Sequence, residues 1–125
     1  MNRFLSLLVV VLCVFNSITI QAQNEPPDTG NTSCNAYIPM AISPNGDGIN
    51  DYLKVESECP IEVFTLRVFD ASDKLIFETR NNAETWDGSY NGNPLPSGHY
   101  TWNLTYLDQR SGNRVKQSGE VILVR

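Results

Sequence analysis

The stretch His99–Leu107, HYTWNLTYL, constrains this chain more than any other. Tyr100, Trp102, Leu104 and Tyr106 fall on one side, and His99, Thr101, Asn103 and Thr105 on the other. A period of two is the signature of an extended strand with one buried face, because successive Cβ atoms point to opposite sides. The segment IEVFTLRVF (61–69) carries Phe64, Leu66 and Val68 on one face and Ile61, Val63 and Phe69 on the other. Such double-sided apolar character predicts a central strand packed on both faces, or one covered by a partner. KLIFET follows the turn DASD, and VKQSGEVILV follows the turn RSGN; AYIPMAI and YLKV bracket a polar loop. Nowhere do apolar residues keep helical spacing over three turns. Turn signals every 8–12 residues or so, with β-branched and aromatic enrichment, predict an all-β antiparallel sandwich of about seven strands.

The start of the chain reads differently. Asn2 and Arg3 precede an apolar run from Phe4 to Phe15, and the segment ends in polar and small residues at Ala22. This is the layout of a secretory signal peptide, residues 1–22, with cleavage after Ala22. The run falls short of the roughly 20 apolar residues a membrane-spanning helix needs, so no transmembrane segment is expected in the mature chain. Leu12 ahead of Cys13 argues against a lipoprotein site. Residues 23–35 contain Pro26, Pro27 and Gly30 and read as a short flexible leader, leaving 36–125 as one domain. The whole chain has 14 acidic residues against 9 basic ones, and loss of Arg3 tips the balance further. Such an acidic surface disfavours nucleic acid and anionic membranes. In an oxidising compartment the remaining cysteines, Cys34 and Cys59, are expected to pair as a disulfide.

Groups able to do chemistry are scarce. His99, the one histidine, sits where a strand begins and reads as a solvated edge residue. No nucleophile elbow, Cys–His pair or phosphate loop is present, and no carboxylate spacing singles out an acid–base pair, so no catalytic residue is assigned and an enzyme is not expected. The best site candidate is SPNGDGIND (43–51), where Asn45, Asp47, Asn50 and Asp51 offer four side-chain oxygens while Gly46 and Gly48 let the backbone turn. Two readings stay open: a structural calcium loop, or an Asx-rich turn bonding its own backbone. The EF-hand pattern is incomplete, since no Glu closes the loop. In WDGSYNGNPLPSGHY (86–100), Asp87-Gly88 and Asn91-Gly92 are hairpin-type pairs. Trp86 is expected to plug one end of the sandwich with its indole N–H on a loop carbonyl.

The order SPNGDGIND, WDGSYNG, LPSGHY and GEVILVR resembles the gliding-motility-associated C-terminal domain, the type B sorting domain of Bacteroidetes type IX secretion, over residues 36–125. The latter half is also similar to the Ig-like module of flagellar hook-capping proteins, with Trp86, Asp87, Gly88, Gly98 and Tyr100 carrying the shared motif. The resemblance implies an Ig-like fold, passage through the periplasm, and delivery by the type IX machinery to the cell surface or medium. It implies a sorting signal in the terminal strand, Val121, Ile122, Leu123, Val124 and Arg125, and a structural role for any calcium at SPNGDGIND. It also implies an alternative, a structural or adhesive surface protein bound to an outer-membrane β-barrel. Family members usually carry a large passenger ahead of the domain, whereas residues 23–35 alone stand there in this chain. An aromatic-Gly turn common in the family is replaced by Asp70-Ala71-Ser72-Asp73.

Overall fold

The protein, described as a computed structural model, is defined for residues 34–125. The expected signal peptide and the leader up to residue 33 lie outside the described residues. Nine strands follow in chain order: β1 (Ala36–Tyr37), β2 (Ala41–Ile42), β3 (Glu56–Ser57), β4 (Ile61–Phe69), β5 (Leu75–Thr79), β6 (Ser89–Tyr90), β7 (Asn93–Pro94), β8 (Gly98–Asp108) and β9 (Arg114–Leu123). No helix occurs among the described residues. The fold is an all-β, Ig-like sandwich.

The alternating segments form its main layer, a five-stranded sheet in the order β2-β9-β8-β4-β5. β8 is its spine. It pairs with β9 without interruption from Gly98↔Leu123 to Leu107↔Arg114, and with β4 on its other side. Tyr100, Leu104 and Tyr106 of β8 are buried, as are Phe64, Leu66 and Val68 of β4 and Val121 and Leu123 of β9. The facing layer contains little regular structure. It consists of the β1–β3 ribbon, the β6–β7 hairpin and the irregular chain between them. Ile38, Leu53, Val55 and Trp86 project from it into the core.

Local chemistry explains the short pieces. Pro39 cannot donate a ladder hydrogen bond, and AYIPMAI accordingly splits into β1 and β2 around it. Asn91 (φ 51°) and Gly92 (φ 76°) both adopt the left-handed conformation that a type I′ hairpin turn demands, joining β6 to β7. In DASD, the Asp70 carboxylate accepts the N–H groups of Ser72 (2.8 Å) and Lys74 (3.0 Å) and fixes the β4–β5 turn.

The expected all-β sandwich forms, and four details differ. Nine strands replace about seven, five of them only two residues long. The sheet is not wholly antiparallel, because β2 runs parallel to β9, with Ala41 opposite Ile122 and Ile42 opposite Leu123. YLKV is no strand: Leu53 makes an isolated bridge to Trp86 instead. Within this chain β4 is also not packed on both faces at Val63. Val63 sits at φ 49°, where the register between Glu62 and Thr65 shifts, and is 58% exposed. A β-branched residue in the left-handed region is rare. Phe64, Leu66 and Val68 are buried in the core, with Ile61 packed partly buried against it.

The two ends of β8 anchor the rest. At its C-terminal end the Tyr106 hydroxyl donates to the Cys34 carbonyl and accepts the Ala36 N–H at 3.3 Å. Asp108, fully buried, receives the Cys34 N–H at 2.9 Å on Oδ2, and on Oδ1 the Arg110 N–H at 2.8 Å. The Ser111 hydroxyl donates to Oδ2 at 2.9 Å. The Cys34 N–H is the largest influence on Asp108; burial pushes the carboxyl up, but the donors together hold it below its ordinary value. Beside it Cys34 and Cys59 form a disulfide with Cα atoms 5.8 Å apart, within the normal range for such a bond.

Candidate functional site

At the other end of β8 the chain segments singled out by the sequence converge. Trp86 is 1% exposed, its indole stands edge-on to Tyr100 with ring centroids 5.3 Å apart, and its Nε1–H donates to the Ser89 carbonyl at 3.0 Å. The Tyr100 hydroxyl donates to the Pro96 carbonyl at 2.7 Å. Burial raises the Tyr100 pKa, Asp70 adds to that rise, and Arg125 opposes it. Gly98 opens β8 directly opposite Leu123. Asp87 accepts the Ser89 N–H at 3.0 Å and also its hydroxyl. Trp86 and Tyr100 thereby hold the loop from Trp86 to Ser97 as a fixed cradle.

The end of β9 lies in that cradle. Val121 and Leu123 are inserted into the core, while Ile122 and Val124 face outward, 40% and 48% exposed. β2 adds to the outer side: Ile122 N–H donates to Met40 O, and Val124 N–H to Ile42 O, each at 2.9 Å. Arg125 then closes the structure with three contacts. Its backbone N–H donates to Ser97 Oγ at 3.0 Å, its Nε to the Leu95 carbonyl at 2.6 Å, and a terminal guanidinium nitrogen to the Gly88 carbonyl at 2.8 Å. Two carbonyls in different parts of one loop match the rigid donor fork of arginine, which a lysine would not reproduce. Gly88 is needed where it stands. Its φ is 77°, and a Cβ there would lie 2.8 Å from Leu123 Cδ1.

The opening loop abuts the same place. Asp51 turns inward, 8% exposed, and accepts the N–H groups of Asn45 (3.1 Å) and Gly46 (2.9 Å) on Oδ1 and of Gly48 (2.7 Å) on Oδ2. Asn45 accepts the Asp47 N–H at 3.0 Å and Asp47 the Ile49 N–H at 2.8 Å. Ser43 N–H reaches the Asn50 carbonyl at 2.7 Å and closes the loop, with Gly46, Gly48 and Asn50 all at positive φ. Burial pushes the Asp51 carboxyl up, yet the surrounding N–H groups of Gly48, Gly46, Asn45 and Asp47 outweigh it and leave the pKa lowered. Both Asp51 oxygens therefore face the positive ends of N–H dipoles. These side-chain-to-backbone bonds are those of an Asx-rich turn. Pro44, Gly46, Asp51, Asp87 and Arg125 line one open groove of about 320 Å³ between the two loops. Among the described residues the one cluster with metal-ligand spacing is Cys34, Cys59 and Asp108, and its sulfurs are tied up in the disulfide.

Val121–Arg125 and Trp86, Asp87, Gly88, Gly98 and Tyr100 thus form one assembly. Sequence reasoning did not single out Leu95, Ser97, Tyr106 or Asp108. Leu95 acts through its backbone carbonyl, which no side chain announces; Asp108, just before RSGN, had a readable cue as an Asx cap. His99 is exposed and lies 3.7 Å from Glu120.

The profile of the CHU_C type IX secretion signal domain matches residues 36–123, from the β1–β3 ribbon to the docked end of β9. This chain belongs to that family. The matched span of the type IX secretion signal domain includes both marked loops and β9 through Leu123. None of the curated proteins compared matches the chain. Among solved structures it is similar to CopC from Methylosinus trichosporium OB3b, at 17% identity and a TM-score of 0.48, covering 71% of this chain and 88% of that one. It is also similar to PorZ, described as an essential bacterial surface component of the type-IX secretion system of Porphyromonas gingivalis, at 17% identity and a TM-score of 0.44. That match covers 74% of this chain but 11% of PorZ, so the chain spans a small part of that protein's length.

Proposed function

We propose that this domain is the signal by which the type IX machinery recognises the chain, and that the feature read is the end of β9, Val121–Arg125, presented in the Trp86–Ser97 cradle. The domain acts without catalysis: it carries its own chain from the periplasm across the outer membrane to the surface or medium. The observation that supports this most is the three-point docking of Arg125 on Gly88, Leu95 and Ser97, which gives a terminal strand one rigid, recognisable shape. Ile122 and Val124 are the apolar side chains it offers outward.

The test is localisation in a type IX-competent host and in a strain lacking the translocon. Wild-type protein appears at the surface or in the medium of the first and in the periplasm of the second. Arg125→Ala, and separately deletion of Val121–Arg125, leave the protein periplasmic in both; circular dichroism shows whether each variant is folded. Export of a folded Arg125→Ala variant at wild-type level refutes the reading.

A second reading, a structural or adhesive component bound to an outer-membrane β-barrel, draws on Tyr37 and Tyr52, which are 64% and 55% exposed. Both line an open groove of about 360 Å³ with Lys54 and Glu56. Periplasmic wild-type protein in both strains, with co-purification of an outer-membrane partner lost in Tyr37→Ala, would favour it.

A further inference from the structure

The sheet has one long unpaired edge. β2 covers β9 only at Ile122 and Leu123, so the outer side of Arg114–Glu120 has no strand against it among the described residues. Strands alternate the direction of their backbone groups, and the N–H groups of Ile122 and Val124 both point toward β2. Because the β8–β9 register runs unbroken, the N–H and C=O groups of Arg114, Lys116, Ser118 and Glu120 point the same way, outward. The side chains of these four residues are all exposed.

We propose that this edge pairs with the same edge of a second copy of the chain, antiparallel, about a two-fold axis at Gln117. A two-fold interface must be self-complementary, and this one is. Centring on Gln117 sets Arg114 opposite Glu120 of the other copy, and Lys116 opposite Ser118. Each of these pairs joins residues whose backbone groups both point outward, so the ladder bonds form without a shift in register. The charges agree as well. Arg114 meets Glu120 twice by symmetry on the solvent face, where directly opposed unlike charges favour pairing. Lys116 meets its own counterpart only on the diagonal, about 7–8 Å away, where solvent and salt screen it. Moving the axis by half a residue would set outward-pointing groups against inward-pointing ones. Moving it a full residue to Ser118 would set Arg114 opposite Ile122, which β2 already occupies, and to Lys116 would set Lys116 directly against its own counterpart. The available edge thus has the length and charge order for this single register, and pairing merges two five-stranded sheets into one.

The experiment is sedimentation equilibrium on protein purified after expression of the full-length gene, from micromolar to millimolar concentration. A reversible monomer–dimer equilibrium is expected. Glu120→Arg places Arg opposite Arg at both pairs and weakens the dimer about tenfold. Combining it with Arg114→Glu reverses both charges and restores the dimer to within about threefold of wild type. Ser118→Pro deletes an outward N–H that β8 does not use and abolishes the dimer, with thermal unfolding reporting that the monomer remains folded. A protein that stays monomeric throughout, or a dimer indifferent to Glu120→Arg and not restored by the double exchange, overturns the proposal. Should Ser118→Pro fail to fold, the charge exchange still decides.

Discussion

Gly88→Ala separates two kinds of glycine requirement within one loop. Gly88 and Gly92 have nearly the same backbone conformation, φ 77° and 76°. An alanine in the left-handed region costs about 1–2 kcal/mol at either position. Around Gly92 a new Cβ would meet nothing within 4 Å, whereas at Gly88 it would lie 2.8 Å from Leu123 Cδ1 and 3.2 Å from an Arg125 guanidinium nitrogen. Leu123 is 1% exposed and cannot swing into free space. Overpacking of this kind costs a further 1–3 kcal/mol or so. Gly88→Ala should therefore destabilise the domain by about 2–5 kcal/mol against about 1–2 for Gly92→Ala. For a domain of this size each kcal/mol lowers the melting temperature by about 4–8 °C, so the two variants should separate clearly. Urea unfolding followed by tryptophan fluorescence gives the free energies. Equal losses within about 0.5 kcal/mol would mean that Leu123 yields without cost and that the end of β9 is not tightly docked on Gly88.

Replacing Cys34 and Cys59 together by alanine should lower stability by about 3–4 kcal/mol, from the 25-residue separation the disulfide spans, read as a shift in the urea midpoint. Asp51 and Asp108 both titrate below their ordinary value when folded. The stability they contribute is fully present above the unfolded carboxylate range and is lost as pH falls below about 4. Acid titration by circular dichroism should show unfolding in that window, and Asp51→Asn should flatten it. Because the Asp51 oxygens already accept backbone N–H groups, adding calcium or a chelator should leave the melting temperature unchanged; a rise with calcium would instead support the calcium-loop reading.

Alternation at Tyr100–Tyr106 was sufficient to place β8 and its buried face, because a strand's side-chain period is a local property. Asn91-Gly92 marked its hairpin for the same reason: the left-handed preference belongs to those two residues. Cys34 and Cys59 were legible as a pair because an oxidising compartment leaves two thiols few alternatives. Other features were settled only by contacts distant in the chain. Val63 looks apolar and inward in sequence, yet a bulge against β8 turns it to solvent. β2 runs parallel to β9, a choice fixed by how residues 36–57 cross the open face and not by Ala41 or Ile42 themselves. Asp51 has the composition of a cation ligand, but the fold aims backbone N–H groups at it, and the direction of a dipole is invisible in a list of residue types. Arg125 shows the division most clearly. Sequence marks it as a cation at the end of an apolar strand; its function as a clamp depends on the carbonyls of Gly88 and Leu95, groups every residue possesses and only the folded loop puts within reach.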